Sequence, residues 1–241
     1  MNEMRVNSEF LEVGAARIYR LGGRLVSAHL LVDDDGLVLV DTGLMGIAAE
    51  LGRLLKRIGR SSGELNAILL THGHLDHTGG ARRIQRETGA GVWVHPADRE
   101  HVAGRVRYRG WARGCGLLES AGRAVMRFKP PEVTNEFADG QRLPWWGGLR
   151  VVHLPGHTPG HCGFFCERTG WLLGGDVFAS YAWSVHVPPR VLNREQGGVR
   201  ASLEAVAAMS LSGVIPSHYD LLEPEVHWRR LRELRKARGK T

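Results

Sequence analysis

The sequence lacks any apolar run near the roughly 18–20 residues that cross a membrane, so we expect no transmembrane helix. Its first residues, MNEMRVNSEFLEVG, carry acidic side chains and no apolar core, which argues against a secretory signal peptide. Cysteine is scarce, and Cys115, Cys162 and Cys166 are an odd number at no zinc-finger spacing. We therefore expect reduced thiols and a cytoplasmic protein, with Cys162 and Cys166 packed on one face of a strand.

Lysine is also scarce, because only four of the 32 cationic residues are lysine and the rest are arginine. The formal net charge of +7 permits anionic partners but does not require them, so charge alone does not predict nucleic-acid binding. Repeats, low-complexity tracts and linkers are absent from the 241 residues. This length suits one domain, 1–241, with a sizeable core.

Strand and helix patterns alternate along the chain. Apolar runs at 16–42 predict strands, with Asp35-Gly36 as a hairpin signal. The stretch at 45–59 has apolar residues at helical spacing. The same criteria predict a strand at 66–72, a helix at 79–89, a strand at 91–95, hairpins at 137–156 and 160–176, a helix at 195–210, a strand at 213–218 and a helix at 223–240. Such alternation is typical of layered α/β folds.

Residues 97–130, here called the lid segment, interrupt this alternation with one or two helices and loose connections. The lid segment contains the basic run RVRYRGWAR at 105–113, followed by Arg123, Arg127 and Lys129. Two interpretations remain open: these cations recognise an anionic substrate, or they form a solvated helix face, which we favour. A homodimer formed through the lid segment is a further hypothesis.

The stretch THGHLDHTGG, residues 71–80, places four metal-binding side chains within six positions: His72, His74, Asp76 and His77. It follows a short apolar strand, so it lies where a strand ends and a loop begins. Imidazole and carboxylate groups suit zinc and other borderline divalent metals. Two histidines two residues apart can bind one ion, while Asp76 and His77 face a neighbouring position.

Three further candidates each lie at a strand end or a tight turn. His157 lies in LPGHTPGH, Asp176 ends WLLGGD and His218 ends VIPSH. One tetrahedral zinc needs only four ligands. Seven candidates, with one carboxylate able to bridge, suit two ions about 3.5–4 Å apart.

Five motifs in this order resemble the metallo-β-lactamase-fold hydrolases: DTG at 41–43, THGHLDH at 71–77, PGHTPGH at 155–161, GGD at 174–176 and SH at 217–218. The resemblance implies an α/β fold, a four-layer αββα sandwich with the metal site at one edge. It also implies a first metal held by His72, His74 and His157, and a second held by Asp76, His77 and His218. Asp176 would bridge both metals, and Asp41 would orient the histidine loop.

The function expected from this resemblance is that of the glyoxalase II and lactonase branches. Two divalent ions, zinc or alternatively iron or manganese, would hold a bridging hydroxide that cleaves an ester, lactone or thioester of a small molecule. Asp76 would be catalytic, accepting a hydrogen bond from that hydroxide and passing a proton to the leaving group. Tyr181 and Tyr219 follow metal motifs, and each either donates to an oxyanion or packs in the core.

Other functions of the same fold remain alternatives. Persulfide dioxygenases use one iron bound by two histidines and an aspartate, and nucleases of the fold cleave phosphodiesters. A nucleic-acid-binding module with a vestigial site is a third, which the intact ligand set disfavours. Metal content separates the first of these from a dinuclear hydrolase, and salt-dependent binding would identify the last.

Overall fold

Two β-sheets stack face to face, each covered by helices on its outer side. The computed structural model of the chain describes residues 4–6 and 10–238. The first sheet has eight strands in sequential order: β1 (Met4–Val6), β2 (Phe10–Val13), β3 (Ala16–Gly22), β4 (Ser27–Asp33), β5 (Gly36–Val40), β6 (Leu65–Leu69), β7 (Gly91–Val94) and β8 (Val133–Glu136). Strands β1–β5 pair antiparallel and β5–β8 pair parallel.

The second sheet has five strands in the order β15-β12-β11-β10-β9. A two-stranded ribbon, β13 paired with β14, forms a ladder separate from both sheets. The strands are β9 (Arg142–Leu143), β10 (Leu149–His153), β11 (Cys162–Cys166), β12 (Trp171–Gly175), β13 (Ala179–Tyr181), β14 (Ser184–His186) and β15 (Gly213–Pro216). Within the five-stranded sheet, β12 and β15 are parallel, with Leu173 opposite Ile215.

Seven α-helices complete the described chain. Two of them, α2 and α4, are single turns of four residues. The helices are α1 (Ile47–Arg57), α2 (Leu75–Thr78), α3 (Ala81–Thr88), α4 (Arg99–Val102), α5 (Arg113–Val125), α6 (Gln196–Ala208) and α7 (Pro224–Arg238). The predicted helix at 223–240 is observed up to Arg238, and its last two positions lie outside the described residues.

Three apolar clusters show how the layers are held together. Between the sheets, Ile18 and Val38 pack with Phe164 and Ile215. On the outer face of the first sheet, Leu51 and its helical neighbours on α1 pack on strand residues. On the outer face of the second sheet, α6 and α7 bury residues such as Leu203 and Leu231. Burying each of these side chains contributes about 1.5–3 kcal/mol, and the expected αββα sandwich is confirmed.

The predicted local elements agree closely with those observed. The helix at 79–89 ends as expected at Gly89, which takes the left-handed conformation with φ 75°. Cys162 and Cys166 are both fully buried free thiols in the inter-sheet cluster, as predicted. The lid segment contains α4 and α5, joined by turns. No helix among residues 4–6 and 10–238 is long and apolar enough to cross a membrane.

Candidate metal centre

The candidate site lies where parallel strands of both sheets end. Asp41 follows β5 and His72 follows β6, whereas Asp176 follows β12 and His218 follows β15. Because the carboxyl ends of parallel strands meet at one sheet edge, four distant sequence positions converge there. The loop from β10 to β11 adds His157.

Three histidines form the first half of the cluster. Their ring centroids are 4.9 Å apart for His72 and His74, 4.8 Å for His72 and His157, and 4.5 Å for His74 and His157. One nitrogen from each ring lies within 4.8 Å of the other two, and all three residues are buried. This grouping is the one expected for the first metal.

Asp76, His77 and His218 form the second half, with their candidate ligand atoms also within 4.8 Å of one another. Asp76 Oδ2 lies 3.6 Å from Nε2 of His77 and 3.6 Å from Nε2 of His218. Ligand atoms 2.0–2.1 Å from a tetrahedral metal are themselves about 3.3 Å apart. The spacing therefore fits one ion with little adjustment.

Asp176 lies between the two halves. Its Oδ2 is 3.3 Å from His157 Nε2 and 3.2 Å from His218 Nε2, while its Oδ1 is 3.4 Å from His77 Nε2. A carboxylate that reaches imidazoles of both groups has the placement of a bridging ligand. Gly175 before it has φ 55°, and a Cβ there would lie 2.6 Å from His161 Nε2, so only glycine fits this turn.

Buried polar atoms without partners test whether these residues fit a metal. Nε2 of His72, His77 and His157, and Oδ1 of Asp176, are buried and have no hydrogen-bond partner among the described residues. Buried polar groups in proteins are nearly always paired. Two of these atoms belong to the first half, one to the second half and one to Asp176 between them, which is the placement expected of metal donors, so the residues fit the group.

The other ring nitrogens are held by hydrogen bonds. Nδ1 of His72 donates to Thr71 Oγ1 at 3.0 Å, since that hydroxyl already donates to Asp41. Nδ1 of His157 donates to Asn193 Oδ1 at 2.9 Å, and Nδ1 of His218 donates to the Leu25 carbonyl. These contacts fix the tautomer that leaves each Nε2 lone pair free to bind a cation.

Asp41 holds the histidine loop, the placement that its expected orienting role requires. Its Oδ2 accepts from His77 Nδ1 at 2.8 Å, and its Oδ1 accepts from the Thr71 amide at 2.8 Å. The backbone of Asp41 is left-handed, with φ 58°. Non-glycine residues adopt this conformation at a cost, which is typical of functional sites.

The sequence matches the metallo-beta-lactamase superfamily over residues 21–218. The chain belongs to this superfamily. It is 30% identical over 152 residues to hydroxyacylglutathione hydrolase GloC of Haemophilus influenzae, covering 60% of this chain and 62% of that protein. It is 30% identical over 165 residues to the probable metallo-hydrolase YybB of Bacillus subtilis, covering 68% and 67%. About a third of each relative is therefore unmatched.

A solved structure of the same fold is that of TTHA1623 in a di-iron-bound form. It is 27% identical to this chain, with a TM-score of 0.68 over 88% of this chain and 97% of that one. Binding of metal is thus a property of the superfamily to which the chain belongs.

The carboxylates of the cluster raise the pKa values of two of its histidines. Burial would lower the pKa of His77, but the carboxylates of Asp76, Asp176 and Asp41 raise it to about 10. Burial likewise opposes protonation of His218, and Asp176 and Asp76 raise its pKa to about 9. The carboxylates therefore favour positive charge at this position, as a metal ion would supply.

The pKa values of His72 and His74 shift in the opposite direction. Burial, followed by the neighbouring imidazoles, holds the pKa of His72 and His74 well below the usual value of 6.5. Neutral imidazole is the form that binds metal. At neutral pH these two rings are therefore already in the form that binds a metal ion and need not lose a proton first.

Asp98 is a residue of the site that sequence reasoning missed. It is fully buried, and its Oδ2 accepts from the Gly73 amide at 2.8 Å and from Thr158 Oγ1 at 2.7 Å. Its Oδ1 accepts from the Gly160 amide at 2.6 Å. It thus joins the loop of His72 and His74 to the loop of His157, a contact that no local pattern predicts.

The hydroxyls of the two candidate tyrosines bond to residues outside the cluster. The hydroxyl of Tyr219 is buried and bonded to His29 Nε2 at 3.0 Å, so this tyrosine packs in the core, the second of its two expected roles. The hydroxyl of Tyr181 donates to the Arg24 carbonyl at 2.6 Å. Both hydroxyls are bonded to protein groups outside the cluster, and the oxyanion role expected for them stays a prediction.

A cleft of about 240 Å³ opens above the cluster, between it and the lid segment. The described residues lining it are Leu44, His74, Leu75, Asp76, Cys115, Leu118, Glu119, His157, Asp176, Leu192 and His218. Three of these belong to α5, so the lid segment does form one wall of the cleft. Its Arg123 is turned away, with Nη2 2.8 Å from Glu119 Oε2 and 3.2 Å from the His101 carbonyl.

Proposed function

We propose that the chain is a metal-dependent hydrolase that cleaves an ester, lactone or thioester bond with two divalent metal ions. His72, His74 and His157 would hold one ion, Asp76, His77 and His218 the other, and Asp176 would bridge them. The observation that carries the proposal is the position of Asp176, within 3.4 Å of imidazoles from both groups. Zinc is the favoured metal, with iron and manganese as alternatives that the same ligands accept.

The relatives support this class of reaction. One carries the name of a hydroxyacylglutathione hydrolase, whose bond is a thioester, and another that of a probable metallo-hydrolase. When bound, a metal pair supplies a water of lowered pKa and polarises the substrate carbonyl. The chain's own residues then have three tasks: to position the carbonyl, to exclude bulk water and to move a proton.

Asp76 is placed for the proton transfer. It lines the cleft, its side chain is 39% exposed, and its Oδ2 faces the two imidazoles. An oxygen of this carboxylate can take a proton from an attacking water and return it to the leaving oxygen or sulfur. His77 is fully buried and held by Asp41, so it cannot turn to exchange protons with the cleft.

The composition of the cleft favours a carbonyl substrate over a phosphodiester. Among the described residues that line it, none is arginine or lysine. Enzymes that transfer phosphoryl groups usually add arginine or lysine contacts to those of their metal ions. A neutral carbonyl compound needs no such contact.

Elemental analysis of protein purified without added metal or chelator tests the proposal. We expect about two metal ions per chain, and hydrolysis of at least one ester, lactone or thioester in a panel that also contains phosphodiesters. Asp176→Asn should hold at most one ion and lose hydrolysis. Asp139→Asn removes a carboxylate that only accepts from the His153 amide, and should keep both properties.

Two outcomes would overturn the proposal. About one iron per chain, with oxygen consumption in the presence of a persulfide, would identify a mononuclear iron oxidoreductase. Absence of bound metal after reconstitution with zinc, iron and manganese would remove all seven ligand assignments.

A further inference from the structure

The cleft above the cluster has a polar floor and apolar walls. Its floor consists of the candidate metal ligands, but four leucines, Leu44, Leu75, Leu118 and Leu192, make up most of the rest of its lining. They come from separate parts of the fold: the loop after β5, α2, α5 and the turn near 190–192. An apolar lining with a few convergent polar groups is typical of a site for a largely apolar ligand.

The walls of the cleft offer no cationic partner to an anionic acyl chain, because none of the described residues that line it is arginine or lysine. Glu119 is the acidic residue of the wall, and it is fixed by the Leu75 amide at 2.6 Å and by Arg123 at 2.8 Å. Two arginines of the lid segment are bound to other protein groups. Arg105 pairs with Glu100 at 2.7 Å, and Arg123 is bound to protein carbonyls and to Glu119. Neither Arg105 nor Arg123 is therefore available to bind an anion in the cleft.

Two of the leucines remain open to solvent. Leu118 on α5 is 68% exposed, and Leu44 is 44% exposed, although both line the cleft. Two exposed apolar side chains at the mouth of an apolar cleft form a surface that an apolar ligand can cover. An apolar chain lying between Leu44 and Leu118 would remove both surfaces from water.

The volume limits how much of a ligand is enclosed. A cleft of about 240 Å³ is smaller than the roughly 300–1,000 Å³ of pockets that surround a drug-sized ligand. It has room for the reacting group and a short run of carbons. A longer chain would continue outward over the exposed leucines.

From these observations we infer that the substrate is a neutral acyl compound, an ester, lactone or thioester whose unbranched apolar acyl chain lies between Leu44 and Leu118. The inference rests on the proposed hydrolase function. It adds the chemical class of the acyl group and makes Leu118 a residue that determines specificity.

The first test is a chain-length series with the metal-loaded protein. We would measure kcat/KM for neutral 4-nitrophenyl esters from acetyl to octanoyl, and for the succinyl ester, which carries a carboxylate. Each added methylene in an apolar site contributes at most about a fourfold gain. We expect kcat/KM to rise two- to fourfold per methylene over the first carbons and then level off, with the succinyl ester below the butyryl ester.

A binding measurement separates this inference from the proposed function. Straight-chain methyl ketones carry the carbonyl and the chain but no leaving group, so their Kd, measured by calorimetry, does not depend on catalysis. We expect Kd to fall with chain length in parallel with the ester series. If ketones bind in this way but no ester, lactone or thioester is hydrolysed, the acyl site stands and the hydrolase proposal fails.

Two neighbouring leucines provide matched variants. Leu118→Ser should weaken the dependence on chain length in both series. It should lower kcat/KM for the octanoyl ester and raise the Kd of the ketone of matching length, each several-fold. Leu117→Ser alters a leucine of α5 that is 74% exposed and does not line the cleft, and should leave both slopes intact. Flat wild-type series, a preference for the succinyl ester, or equal loss in both variants would each overturn the inference.

Discussion

Asp98 and Thr158, 60 residues apart in the chain, are joined by a 2.7 Å hydrogen bond from the threonine hydroxyl to the carboxylate. The same carboxylate accepts from the amides of Gly73 and Gly160. Asp98 is thus the contact through which the two histidine loops hold their relative position. A displacement of one loop would separate His157 from His72 and His74.

Asp98→Asn should therefore weaken metal binding without removing a ligand. The asparagine side chain has one acceptor oxygen in place of two, and its NH₂ group would face an amide donor. Loss of a contact that orients ligands typically costs 10- to 100-fold in metal affinity, and a buried unsatisfied group costs about 1–3 kcal/mol of stability. Competition with a chelator measures the first and denaturant unfolding the second.

Asp139→Asn is the matched control, because Asp139 accepts from the His153 amide away from the cluster. It should leave metal affinity unchanged. Wild-type metal affinity in Asp98→Asn would show that the two loops are held by other contacts.

The sequence indicated the ligand set because each candidate follows a recognisable local pattern. His72, Asp176 and His218 each follow a short apolar strand, and parallel strand ends converge by the geometry of the sheet. Asp98 has no such pattern. Its three partners lie 25 to 62 residues away, so its role exists only in the folded chain.

The missed elements have a similar physical reason. Strand β8 has only four mostly exposed residues, VTNE, with no apolar alternation, and its Asn and Glu are depleted in strands. The ribbon β13–β14 has three residues in each strand, too few to show a period. Tyr219 follows His218 directly, yet its hydroxyl partner, His29, lies 190 residues away, and this decides that it packs in the core.

A second prediction concerns the partner of His74. Its Nε2 lies 3.9 Å from the thiol of Cys115 on α5, so this ligand candidate is in contact with the lid segment. Cys115→Ala should lower metal affinity by up to about tenfold, because the ring loses a contact that orients it. Metal stoichiometry against competing chelator is the measurement.

Cys166→Ala provides the comparison within the same residue type. Cys166 is buried between the sheets, with its sulfur 3.8 Å from the Trp146 carbonyl. Its truncation should cost about 0.5–3 kcal/mol of stability and leave metal affinity unchanged. Equal metal affinity in both variants would show that the Cys115 contact does not orient His74.

A third prediction concerns acid stability and two buried histidines outside the cluster. Burial lowers the pKa of His227 to about 4 and that of His29 to about 3. The unfolded chain binds protons at these positions below pH 6.5, whereas the folded chain does not. Stability should therefore fall as pH decreases from 6.5 towards 4, by up to about 1.4 kcal/mol per pH unit for each residue.

His227→Gln should remove its share of this slope. The glutamine amide can still donate to the Leu221 carbonyl, which His227 Nε2 now contacts at 2.9 Å. Unfolding free energies at pH 7, 6 and 5 would be compared with wild type and with His186→Gln, whose ring is partly exposed. Because all three proteins share the same metal site, the difference isolates His227, and an unchanged slope would contradict the assignment.

A fourth prediction tests the task assigned to Asp76. Asp76→Asn keeps an oxygen near His77 and His218 but cannot accept a proton. With metal supplied until two ions are bound per chain, kcat should fall by 10²- to 10⁴-fold, the usual contribution of a positioned acid–base group, while the Kd of the methyl ketones changes little. Asp76→Glu should recover part of kcat, because a longer carboxylate can still take the proton.

If both variants lose one ion and cannot be reloaded, Asp76 acts only as a ligand. If Asp76→Asn keeps two ions and wild-type kcat, the proton is transferred by another group.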